Sequence, residues 1–256
     1  MKLMSSYVTI LGCGGSDGVP QVACSCNSCT SSSIFNQRTR SSILLELENF
    51  TLLVDPGPDL RQQLLREKIT KIDGVFLTHA HYDHLGGLGD LKLLRGDRPL
   101  PLFCDSETYS RTVQSFPFIF YSQNPLYPVL LEGYPFYGNF SLIGSQTLQV
   151  FWQKHGKTFS YGLRVGSFAY STDLNGLNDD SMRVLQGVKT WVVDCMRYMT
   201  SPTHFALDDA LEACYRIKPE IAFLTHMGHD IDYHWLSKFL PARVKLAYDG
   251  LKIEID

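Results

Sequence analysis

The chain has no long hydrophobic run: no stretch approaches the roughly 18 apolar residues that cross a bilayer, so a membrane-embedded protein is not expected. It also has no basic excess. Its 23 Lys and Arg face 26 Asp and Glu, a net charge of −3, whereas a general nucleic-acid binder presents a basic surface. No Gly/Ser or Pro-rich linker, charge block or short repeat interrupts the 256 residues, and one continuous domain over 1–256 is expected. The apolar stretch Tyr7-Val8-Thr9-Ile10-Leu11 is too short for a signal peptide and is closed by glycines, so it reads as a first strand. Nor is there a disulfide framework. Seven cysteines is an odd number, scattered through a chain too long to need staples, which points to the cytosol.

The composition, 44% apolar and 19% charged, is that of a globular protein with ample core. Short β-rich runs recur at 7–11, 42–47, 51–54, 75–77, 100–103, 148–151, 161–165, 168–170, 191–193 and 221–224. Helical patterns separate several of them. The clearest runs from Leu207 to Ile217, with Leu207, Ala210, Leu211, Cys214 and Tyr215 at helical spacing and Pro219 just beyond its end.

One segment stands out chemically. Thr78-His79-Ala80-His81-Tyr82-Asp83-His84 follows the apolar run Gly74-Val75-Phe76-Leu77 and packs three imidazoles and a carboxylate into seven residues. These are ligands for zinc, iron or manganese, and a short loop lets them converge where a regular helix or strand would not. His79, Asp173, Asp194 and His226 all come at or just past the end of an apolar run. Strand ends that converge would gather such residues round one cleft. Asp55, after Leu52-Leu53-Val54, either joins that set or serves as a turn former before Pro56-Gly57. Cys13, Cys104, Cys195 and Cys214 sit singly in apolar or mixed surroundings and are expected as small buried residues.

The order of these elements resembles the metallo-β-lactamase-fold hydrolases, whose pattern is a His-x-His-x-Asp-His loop, then a histidine, an aspartate and a last histidine. His79, His81, Asp83 and His84 match the loop, and His155, Asp173 and His226 match the later elements in order. The resemblance implies an α/β (α+β) fold, a four-layer αββα sandwich. It also implies two divalent metals, zinc or manganese: one on His79, His81 and His155, the other on Asp83, His84 and His226, with Asp173 bridging. A hydroxide shared by such metals would be the nucleophile, and the fold serves phosphodiesters, thioesters and lactams alike.

A finer resemblance narrows the substrate. Gly12-Cys13-Gly14-Gly15-Ser16-Asp17-Gly18-Val19-Pro20, then Cys24-x-Cys26-x-x-Cys29, then Arg40-Ser41-Ser42, is similar to the opening of the PhnP branch, phosphodiesterases of phosphoribosyl cyclic phosphate. That branch implies a structural zinc on Cys24, Cys26, Cys29 and His229, within a small loop at about 20–30. Three thiolates and one imidazole leave no open position, which suits a structural zinc. His204, just before the helix from Leu207, corresponds to the branch's non-ligand histidine, an acid for the leaving alkoxide or a substrate clamp. Asp83 and His204 are thus the expected catalytic side chains, and the substrate a small cyclic or diester phosphate. Arg38, Arg40, Arg183, Arg197 and Lys157 are candidates to hold phosphate. The Tyr- and Phe-rich segment 105–145 is expected to border the cleft, and assembly as a homodimer is left open. The alternatives are a thioesterase, lactamase or nuclease of the same fold, or a non-enzymatic carrier of a cofactor pathway.

Overall fold

The computed structural model describes residues 6–122, 124, 126, 128–137, 140–143 and 146–255. Its first sheet contains β1 (Ser6–Gly12), β2 (Ser42–Leu47), β3 (Phe50–Val54), β4 (Gly74–Phe76), β5 (Leu100–Cys104) and β6 (Leu131–Pro135), with β15 (Lys252–Ile255) on the far edge. The order is β15-β1-β2-β3-β4-β5-β6, antiparallel up to β3 and parallel from β3 onward. The second sheet contains β7 (Phe140–Ile143), β8 (Gln146–His155), β9 (Thr158–Val165), β10 (Phe168–Ser171), β11 (Gly176–Leu177), β12 (Thr190–Asp194), β13 (Ile221–Thr225) and β14 (Val244–Leu246). Here β8, β9 and β10 run antiparallel, and β10, β12, β13 and β14 run parallel.

Side chains alternate across a strand, so a sheet covered on both faces reads as a continuous apolar run. In β2, Ile43, Leu45 and Leu47 enter the core between the sheets while Leu44 points outward; in β3, Leu52 and Val54 face in and Leu53 faces out. The outer face of the first sheet is covered by α1 (Leu60–Arg66), α2 (Tyr82–Leu85), α3 (Ser106–Ser115) and α4 (Pro117–Phe120), through Leu60, Leu85, Ile119 and Phe120. On the second sheet, α5 (Asp179–Leu185) and α6 (Leu207–Ile217) bring Leu185, Ala210, Ala213, Cys214 and Ile217. The four layers are those of the metallo-β-lactamase sandwich. Trp191, fully buried in β12, finds a partner for its indole N–H in Ser171 Oγ at 3.0 Å; truncation there would cost about 3–5 kcal/mol.

This topology decides where the functional loops go. Since β10, β12 and β13 are parallel and β8 runs the same way as β10, residues 155, 173, 194 and 226 all emerge at one end of the second sheet. The loop after β4 emerges opposite them, from the first sheet. α6 occupies the span the sequence pattern predicts, Leu207–Ile217. The strand expected at 148–151 is longer, Gln146–His155, which makes His155 a strand-end residue like His79, Asp173 and His226. β6, β7, β11, β14 and β15 have no counterpart among the expected runs; β6, β14 and β15 are of mixed burial, and β11 is two residues long. Among the described residues, no helix is long and apolar enough to cross a membrane.

Candidate metal centre

The loop after β4 is only partly irregular. His79 lies in a bend and His81 on extended chain, but Tyr82–Leu85 closes a single helical turn that carries Asp83 and His84. Beneath it, Asp55 leaves β3 with φ of 55°. Two residues on, a Cβ at Gly57 would lie 2.2 Å from the Asp83 carbonyl oxygen, so only glycine lets this turn support the histidine loop. The fully buried Asp55 carboxylate accepts from Thr78 N and Thr78 Oγ1, both at 2.8 Å, and takes His84 Nδ1 at 2.9 Å. The position that the sequence left between turn former and site residue is therefore both. It orients His84 so that Nε2 points into the centre.

From the second sheet, His155 ends β8 and donates through Nδ1 to Thr203 O at 2.8 Å, which frees Nε2. Gly156 follows at φ of 63°, and a Cβ there would meet Thr203 Cγ2 at 2.8 Å. Asp173 and His226 both leave their strands in the left-handed region, φ 54° and 56°. Such conformations cost free energy outside glycine and concentrate at functional sites.

The geometry converges on Asp173. Its Oδ1 lies 3.8 Å from both His79 Nε2 and His155 Nε2, and its Oδ2 lies 3.0 Å from His84 Nε2 and 3.3 Å from His226 Nε2. One oxygen faces each group. Asp83 Oδ2 joins the second group, 3.2 Å from His84 Nε2 and 3.7 Å from His226 Nε2. His81, more exposed, places Nδ1 3.3 Å from His155 Nε2 in the first group. The candidate ligand atoms of His79, His81, His155 and Asp173, and those of Asp83, His84, Asp173 and His226, lie within 4.8 Å of one another.

These residues suit divalent cations. His79 Nε2, His84 Nε2 and His226 Nε2 are buried without a hydrogen-bond partner among the described residues, an arrangement that is costly unless something binds there. Burial, then the charge of His84, pushes the His79 imidazole well below its usual range, into the neutral form that ligates. Burial alone would raise the Asp173 carboxyl, but the imidazoles of His226 and His84 hold it well below the usual carboxylate range. Buried imidazoles surround an ionised carboxylate, as a metal centre requires.

His204 stands beside this set. Its Nδ1 lies 3.0 Å from Asp194 Oδ2 and its ring stacks on His226 at 4.8 Å. Burial lowers the His204 pKa, but the Asp194 carboxylate outweighs it and pushes the imidazole up to about 9. Asp194 also receives Leu174 N at 3.1 Å and places Oδ1 3.7 Å from His226 Nδ1. The sequence marked Asp194 as a strand-end residue without giving it a role; its partners were legible only in three dimensions.

A second cluster lies at the other end of the His226 loop. Cys24 Sγ and Cys26 Sγ approach His229 Nδ1 at 3.2 and 3.5 Å, and Gln21 N points at Cys29 Sγ at 3.2 Å. The Cys29 backbone N–H lowers the Cys26 thiol to about 6, whereas burial pushes Cys29 up to about 11. Cys13, Cys104, Cys195 and Cys214 are buried, as expected.

The phosphate candidates fare differently. Arg38 is 1% exposed and spends its guanidinium on Gly228 O and Ile231 O, both at 2.9 Å, and on Asn36 Oδ1. It braces the loop between the two clusters and is not available to a ligand. Arg40 pairs with Asp59 at 3.0 Å, Arg183 pairs with Asp180, and Arg197 lines a separate cavity of about 230 Å³ with Asp17 and Asp230.

Residues 51–227 match the model of the beta-lactamase superfamily domain. The chain belongs to the beta-lactamase superfamily. Within that superfamily it is similar to a crystal structure described as a new diphosphatase from the PhnP family, 33% identical, covering 98% of each chain, with a TM-score of 0.93. It is 29% identical to an octanoyltransferase of Porphyromonas gingivalis over 256 residues, 96% of this chain and 51% of that protein. A ribonuclease Z of an Exiguobacterium species matches at 37% identity over 73 residues, 26% of this chain and 24% of that one. The chain thus spans about half the length of the first of these two curated relatives and a quarter of the second.

Proposed function

We propose that the chain is a metal-dependent hydrolase of a small cyclic or diester phosphate, of the kind that 5-phosphoribosyl 1,2-cyclic phosphate exemplifies. The observation that carries this is the division of Asp173, with one oxygen on the His79/His155 side and the other on the His84/His226 side. Likeness to the PhnP-family diphosphatase over the full chain supports a phosphorylated substrate over a lactam. When bound at the two groups, divalent cations such as zinc or manganese would supply an acidified water and neutralise charge gathering on the phosphoryl oxygens.

The protein's own residues do the remaining work. Asp55, Thr203 O and Thr78 Oγ1 fix the ring orientations of His84, His155 and His79. His204, held protonated by Asp194, gives its proton to the oxygen that leaves, and Asp194 holds the ring through the transfer. Cys24, Cys26, Cys29 and His229 would hold a structural zinc, which would fix the loop from which His226 projects.

The test is metal analysis beside a panel of phosphodiester, octanoyl thioester and lactam substrates. Bound divalent metal with turnover confined to phosphodiesters is the expected result. The thioester arm answers the likeness to the octanoyltransferase; turnover there alone would replace this proposal with an acyl-group hydrolase. Bound metal without turnover of any ester would favour a carrier.

A further inference from the structure

A phosphorylated substrate brings negative charge to a chain of net charge −3, so a cation beside the centre has work to do. Arg38, Arg40, Arg183 and Arg197 are committed elsewhere or line another cavity, as described above, and Lys157 is exposed in the turn between β8 and β9, outside the lining of the hollow considered below. The parallel pairing of β4 with β5 supplies a different one. Leu77 N bonds Phe103 O at 3.0 Å, so the chain leaving β5 enters α3 directly beside the histidine loop. Asp105 caps that helix by accepting from Glu107 N and Thr108 N. Residues 107, 108 and 111 then share the helix face that turns to the loop. His79, Ala80 and His81 line one hollow with Glu107, Thr108, Arg111, Thr158 and Phe159. Arg111 is the cation in that lining.

We propose that Arg111 is a specificity-determining residue, gripping a second anionic group of the substrate while the attacked phosphate sits at the His/Asp cluster. This rests on the phosphodiesterase proposal above. Glu107 Oε1 holds Arg111 Nη2 at 2.7 Å, and the two side chains are 48% and 60% exposed. An exposed pair of this kind contributes little to stability, which leaves positioning as its use. The guanidinium fork has five N–H donors; Glu107 engages it through Nη2, and a phosphate monoester at the rim of this small hollow, about 20 Å³, can take two of the others. Thr158 and Phe159, at the start of β9 beside the His155 end of β8, complete the lining. A substrate with one charge at the centre and another some ångströms outward would bridge the hollow, whereas a simple diester would leave Arg111 idle.

The experiment compares the wild type, Arg111→Gln, Arg111→Lys and Glu107→Gln as full-length, metal-loaded protein. Two nitrophenyl phosphodiesters are used, one simple and one whose sugar carries a further phosphate monoester. Loss of a charge-assisted bidentate contact predicts that Arg111→Gln raises KM about tenfold or more for the second substrate alone, with kcat unchanged. Arg111→Lys should recover part of the loss, and Glu107→Gln, which removes the carboxylate that positions the guanidinium, should raise that KM by a smaller factor than Arg111→Gln does. Calorimetric binding of a sugar phosphate supplies a readout without turnover: the wild type should bind it more tightly than Arg111→Gln, and more weakly as salt rises. Equal KM changes on both diesters, or sugar phosphate binding indifferent to residue 111, would overturn the proposal. If the wild type turns over neither diester, the phosphodiesterase reading fails, and the binding comparison alone still decides for or against the anion grip.

Discussion

His204 Nδ1 and Asp194 Oδ2 form a buried pair 3.0 Å apart, and the same carboxylate turns its other oxygen toward His226. An acid held in this way should reveal itself by its dependence on the leaving group. His204→Ala should retain metal yet lose roughly 10²- to 10⁴-fold in rate on a diester with a poor alkoxide leaving group. With a nitrophenolate, which needs little protonation, the loss should shrink. Equal wild-type-to-mutant ratios on the two substrates would make His204 a positioning residue instead.

Asp173→Ala removes the carboxylate that both groups share, and His81→Ala removes a ligand from the first. Diester hydrolysis should be abolished in each, while zinc at the cysteine cluster is retained, which elemental analysis of the purified variants would measure. Full activity in either would rule out a dinuclear centre.

Asp55 touches no metal position but sets the His84 ring, and Asp55→Ala should cost about 10- to 100-fold in affinity for the exchangeable metal. Competition titration with a chromophoric chelator reads this directly. Unchanged affinity would mean that Thr78 and the loop backbone orient His84 unaided.

Replacing Cys26 with serine should lower the melting temperature and zinc content together, because structural zinc binding is folding free energy. Activity per folded molecule should change less. A variant that melts like the wild type with its zinc intact would remove this cluster from consideration as a structural site.

Much of the centre is legible in the sequence because its chemistry is local or ordered along the chain. His79 to His84 lie within one loop, and His155, Asp173 and His226 follow in an order that a known family shares. Burial on both faces made the central strands readable as apolar runs, whereas β6, β14 and β15 lie at edges where the pattern is diluted. What stayed hidden depends on contacts between distant segments. Asp194 meets His204 only across the β12 loop, Arg38 is spent on carbonyl groups 190 and 193 residues away, and Arg111 comes to line the hollow beside His79 and His81 only through the β4–β5 pairing. A guanidinium has the same letter whether it braces a loop or faces a ligand.

Both clusters draw their ligands from opposite sides of the sandwich. His79, His81, Asp83 and His84 follow β4 of the first sheet, and His155, Asp173 and His226 follow strands of the second; Cys24, Cys26 and Cys29 follow β1, and His229 follows β13. Each cluster, once filled, is a rivet through the seam between two half-shells. Stripping the metals should therefore leave each sheet's own ladder protected from amide exchange while the rim between the shells begins to gape, so that the mouth of the cleft and the grip between the halves are governed by the same ions.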